Sequence, residues 1–116
     1  EEAVEMLQAM NTGHEGSMSS IHANGPHHAL TRLADLVLQE ERWTASSSAR
    51  AIAEAIDFVV HMVEEHASGR RVVAAIAQVA GRDGEVVLAN EVYRWREGRL
   101  APTGIAPLRE GGPVPR

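Results

Sequence analysis

The chain has 116 residues, 44% hydrophobic and 23% charged, the composition of one folded domain and not of a disordered segment. Its formal charge of −5 argues against nucleic acid as a partner, and the absence of cysteine excludes disulfides and thiolate metal sites. No apolar run approaches the roughly 20 residues that a membrane-spanning helix needs, and no signal-peptide pattern opens the chain, so a soluble cytoplasmic protein is expected.

The first predicted element is a helix. Ala3, Met6, Leu7 and Met10 recur at i, i+3, i+4 and i+7, one apolar stripe, with Glu1, Glu2 and Glu5 favouring its N-terminal end and Gly13 suited to end it. No cap or lead-in precedes Glu1, as expected of a chain cut from a longer one. Residues 16–23 alternate small polar and apolar side chains and predict a short strand. Asn24-Gly25-Pro26 predicts a helix start, and Leu30, Leu33, Ala34 and Val37 carry its stripe to about residue 39. After a connection over 40–46, a cap at Ser46, Ser47 and Ser48 predicts a third helix through Ala49, Ile52, Ala53 and Ile56.

From residue 57 the period changes. The valine-rich run 58–63 predicts a buried strand, and Ala67-Ser68-Gly69 a turn into a partner strand over 71–79. Arg82-Asp83-Gly84 predicts a second turn, leading into a strand over 86–95. Gly98, Pro102, Gly104 and Pro107 leave room for at most one short strand over 97–108, and residues 110–116 read as a flexible tail. The fold class is therefore α/β: helix, strand, helix, helix, then an antiparallel meander over about 57–96. A single strand ahead of two helices makes a poor sheet alone, so part of the natural sheet is expected from elsewhere.

The chemistry-bearing stretch is residues 11–24, Asn-Thr-Gly-His-Glu-Gly-Ser-Met-Ser-Ser-Ile-His-Ala-Asn, which sets His14 and His22 at either end of a serine-rich run. Each could be an ordinary hydrogen-bonded histidine or a functional one. His27 and His28 fall in a first helical turn, where a cation is unfavourable, and read as surface. No histidine pair has the HxxxH spacing of a zinc helix, so a metal-dependent hydrolase is the weakest reading and no metal ligand is assigned. His61 and His66 read as structural. Arg94, Arg96 and Arg99, interleaved with Tyr93 and Trp95, read as a solvated strand face. All eleven cationic side chains are arginine. A phosphate-cradling P-loop needs a lysine, so this chain cannot carry one.

Glu2-Ala3, Leu7 to His14, Ile21-His22-Ala23-Asn24, Ala29-Leu30 and Arg32-Leu33 together resemble the histidine-box region of the type II/type IV secretion ATPases. The resemblance is closest to the tight-adherence (Tad/Flp) pilus-assembly branch. Arg50, Ile52, Ala55-Ile56-Asp57, Val59-Val60-His61, Gly69 to Val72, Ile76, Val79, Gly81, Thr103-Gly104-Ile105 and Pro107 follow in the family's order, so that roughly residues 2–107 take part. The family implies a hexameric RecA-like P-loop ATPase, cytoplasmic and peripheral to the bacterial inner membrane, with ATP and Mg²⁺ bound by the full-length protein and an inner-membrane platform protein as partner. Residues 1–109 would be the C-terminal part of its RecA-like domain. Glu1 and Glu2 lack the preceding apolar strand of a Walker B carboxylate and are not assigned that role. The resemblance implies that His22 faces the nucleotide γ-phosphate, that His14 holds the loop before it, and that Thr12, Ser20 and Asn24 add hydrogen bonds. The alternative is a non-catalytic interaction module that docks on an intact ATPase ring.

Overall fold

The computed structural model describes residues 2–11 and 18–108. Three helices, α1 (Glu2–Asn11), α2 (Pro26–Val37) and α3 (Ala45–Ala55), precede four strands, β1 (Phe58–Glu64), β2 (Arg71–Asp83), β3 (Val86–Arg96) and β4 (Arg99–Pro102). The strands form one antiparallel sheet in the order β1-β2-β3-β4, and the helices cover one of its faces.

The apolar stripes of the helices meet in one core of Val4, Leu7, Leu30, Leu33, Val37 and Ile52. Val59, Val79, Val87 and Ala89 of the sheet pack against it. Ala49 of α3 and Ala77 of β2 are fully buried, and their small side chains let helix and strand approach closely. Polar ties set the angles between layers. The Asn11 Nδ2 donates to Ala51 O at 3.4 Å, and the Arg82 guanidinium, near the tip of the β2–β3 hairpin, donates to Ser46 Oγ at 3.1 Å.

Three expectations need correction. The strand predicted over 16–23 is not formed in its described part, for residues 18–23 pair with neither edge of the sheet. Alternation of small and apolar side chains does not make a strand without a neighbour to bond. The fold is thus helix, helix, helix, then meander. The third helix begins one residue before the predicted cap: Thr44 is the N-cap, in a reciprocal capping box with Ser47. Ser48 lies inside the helix, fully buried, its hydroxyl 3.4 Å from Ala34 O. β1 is not a buried strand but a half-buried edge strand, with Phe58, Val60 and Met62 turned outward and Val59 and Val63 inward. The one short strand allowed over 97–108 forms as β4 and extends the sheet beyond residue 96.

The turns follow their residues. Gly84 takes φ +63° between β2 and β3, a conformation open to glycine at little cost. Between β3 and β4, Glu97 and Gly98 both have positive φ, +50° and +83°, the signature of a type I′ hairpin.

Candidate functional site

His22 lies exposed on the extended segment that leads from residue 18 to α2. Asn24, also exposed, sits in the bend two residues on, and Gly25 is the N-cap of α2 with extended backbone and no side-chain capping bond. Pro26 follows at the first helical position, where its missing N–H costs nothing. The sequence therefore delivers His22 and Asn24 at the mouth of a helix rather than within a packed layer. Thr12 and His14, and with them any contact between the two box histidines, lie outside the described residues.

Beside this entry is an open depression of about 310 Å³. Asn24 and Gly25 line it from the bend before α2, His27 and His28 from α2, His61 from β1, Ala75 from β2, and Glu91 and Arg94 from β3. His22 is not part of its lining, so of the expected site residues that are described only Asn24 reaches it. A second, more open groove of about 340 Å³ follows the solvent face of α2 along His28, Thr31, Arg32, Asp35 and Gln39.

In the sequence Arg94 reads as part of a solvated strand face and Glu91 carries no signal, and on a regular strand residues three apart point to opposite faces. A register shift removes the obstacle. Ala77 pairs with Glu91 and Ala75 with Arg94, so Val92 is an extra residue and both charged side chains reach the helix-facing side. There Arg94 and Glu91 form an ion pair, Nε to Oε1 at 2.9 Å, with the Arg94 side chain half exposed. Thr103 closes the bulge, its backbone N donating to Val92 O at 3.1 Å and its Oγ1 to Glu91 O at 2.7 Å. His27, read from sequence as plain surface, is exposed but has its Nε2 3.2 Å from Ala89 O, tying the start of α2 to β3.

The described residues hold no group of three or more His, Asp or Glu side chains arranged as a metal site. No described helix is long and apolar enough to cross a membrane. What the entry offers chemically is an exposed hydrogen-bonding surface. The exposed imidazole of His22 and carboxamide of Asn24 both reach solvent and can both donate to an anion.

Known proteins agree with this reading at the level of family. The family model for the type II/IV secretion system protein matches residues 1–101. A relative named "Putative conjugal transfer protein Rv3659c", from Mycobacterium tuberculosis, is 34% identical over 109 residues, covering 94% of this chain and 30% of the relative. The conjugal transfer protein TrbB of Rhizobium radiobacter is 37% identical over 70 residues, 60% of this chain and 20% of the relative. The chain thus spans less than a third of the length of the curated relatives it matches. A match running through all three helices and the meander settles its kinship: the chain belongs to the type II/IV secretion system protein family.

Proposed function

We propose that this chain is the C-terminal part of the RecA-like domain of a hexameric ATPase that powers pilus assembly or secretion. The machine we assign is the tight-adherence type, with an inner-membrane platform protein as its partner. The observation that carries the reading is the family match over residues 1–101, within which His22 stands exposed at the entry to α2.

His22 is assigned as the γ-phosphate contact. An exposed imidazole can donate one hydrogen bond to a phosphate oxygen, and Asn24 can supply another beside it. Loss of the γ-phosphate removes the acceptor and frees the segment 18–23, which no sheet ladder holds in place. That segment runs directly into α2. Displacement of α2 reaches the sheet through the His27 contact with Ala89 and through its packing on α3. His14 and Thr12 complete the box in this proposal.

Mg²⁺ fits the residues present poorly. The described residues gather no acidic set for the ion, and separately the chain has no lysine to reach the ATP phosphates, so the ion's ligands and the P-loop both belong to the remainder of the protein in this reading. We derive no step through the metal. The non-catalytic module remains the rival outcome.

The test is ATP turnover by the full-length protein carrying His22→Ala. We expect kcat to fall about 100-fold while ATP binding persists, the behaviour of a lost transition-state contact. Unchanged kcat removes His22 from the mechanism. A wild-type protein that neither binds nor hydrolyses ATP favours the docking module.

A further inference from the structure

The depression beside the entry to α2 is rich in hydrogen-bond donors and poor in acceptors. Asn24, His28, His61 and Arg94 can each donate into it, and among its described lining residues Glu91 is the one carboxylate. That carboxylate is already engaged, for its Oε1 accepts from both Nε and Nη2 of Arg94, the Nε contact at 2.9 Å. Glu91 thereby holds the guanidinium by one edge, and Nη1 at the other edge bonds no described residue. The pair turns its cationic member outward, with the Glu91 side chain 19% exposed and that of Arg94 50%. The imidazoles of His28 and His61 also bond no described residue. The placement of Arg94 is set by the backbone, because the bulge at Val92, closed by Thr103, carries the pair to this face.

Donors that converge on one concavity from the bend before α2, from α2, from β1 and from β3 suit a tetrahedral oxyanion, which presents an oxygen in each direction. We infer that the depression binds inorganic phosphate, the product of the hydrolysis proposed above, with Arg94 as its main contact and Asn24, His28 and His61 around it. The inference rests on that reading. Asn24 joins the two places: it stands two residues after His22 and also lines the depression, which His22 does not. Hydrolysis passes the γ-phosphoryl group from ADP to water and yields phosphate and a proton. A phosphate leaving His22 meets Asn24 first and Arg94 beyond it. A volume of about 310 Å³ admits the ion together with water. Glu91 offsets the charge of Arg94, so the hold is weak, with Kd on the order of 1 mM, as suits a product that must depart.

Phosphorus NMR tests this with the full-length protein saturated with ADP and titrated with inorganic phosphate, the linewidth of the phosphate signal giving Kd. Arg94→Gln should weaken binding about 10-fold or more, the loss of a charge-assisted contact. Arg94→Lys keeps the charge without the planar fork and should weaken it about 3-fold. His28 is exposed and bonds no described residue, so His28→Ala leaves the fold intact and should also weaken binding about 3-fold. Arg99→Gln, outside the lining, should bind as the wild type does. Wild-type affinity in both Arg94→Gln and His28→Ala overturns the inference. Binding lost in His22→Ala but kept in Arg94→Gln also overturns it, since phosphate would then sit at the γ-phosphate contact. Replacing ADP with a non-hydrolysable ATP analogue should leave phosphate bound. Its displacement would mean that the nucleotide's own terminal phosphate fills the depression, which is a third way for the inference to fail. ATP hydrolysis by the same preparation separates the two readings. Arg94-dependent phosphate binding without hydrolysis sinks only the ATPase, and hydrolysis without phosphate binding sinks only this site.

Discussion

Gln78 holds Leu108 by both ends of its side-chain amide. Its Nε2 donates to Leu108 O at 2.9 Å, and its Oε1 accepts from Leu108 N at 2.6 Å. The side chain thus imitates a neighbouring strand and fixes the segment 103–108 across the outer face without any ladder. Gln78→Ala should free that segment at a cost of about 1 kcal/mol, since partly exposed hydrogen bonds contribute modestly. Gln78→Glu should cost more, because a carboxylate oxygen would then face the Leu108 carbonyl. Limited proteolysis at 103–108 checks both. Cleavage no faster in either variant than in the wild type would remove the clamp.

The capping box of α3 makes a second prediction. Thr44→Ala deletes the acceptor for the Ser47 N–H, and Ser47→Ala deletes the acceptor for the Thr44 N–H. Each should destabilise by about 1 kcal/mol. The two hydroxyls also bond each other at 3.1 Å, so the double variant should lose less than the sum. Denaturant unfolding of all four proteins measures the coupling.

Ser48 is fully buried, but its hydroxyl reaches Ala34 O only at 3.4 Å. Ser48→Ala keeps the packing and improves helix propensity, so stability should change by no more than about 0.5 kcal/mol. Ser48→Leu must push α2 and α3 apart and should cost about 1–3 kcal/mol. A large loss in Ser48→Ala would mean that the weak hydroxyl bond matters more than its length suggests.

Glu97 adopts φ +50° beside Gly98 in the β3–β4 turn. Asparagine tolerates this conformation better than glutamate does, and Asn-Gly is the preferred pair for a type I′ turn. Glu97→Asn should raise stability by about 0.5 kcal/mol, read as a higher melting temperature. A lower one would show that the glutamate is anchored by something other than the turn.

The elements legible in the sequence were those with a period of their own. The stripe Leu30-Leu33-Val37 and the turn at Gly84 are local signals, and both appear where they were expected. What failed depended on neighbours. The segment 18–23 has the alternation of a strand but no partner, and the burial of β1 was inferred from a run of valines whose outer face is open. The bulge at Val92 was illegible for a related reason. Nothing in residues 91–94 announces an extra residue, yet it decides that Glu91 and Arg94 share a face. His22 and Asn24 stand out through a motif and not through periodicity, and the structure adds their exposure and their place before α2.

Every ladder in the sheet joins strands adjacent in sequence, all within residues 58–102, while the helices that cover it come first in the chain. Pairing among neighbours closes only short loops, so the meander can assemble quickly and without help from the helices. During synthesis, however, α1, α2 and α3 leave the ribosome before the four strands of this sheet. Their apolar stripes must wait for the sheet, and the polypeptide is most vulnerable to mispairing in that interval.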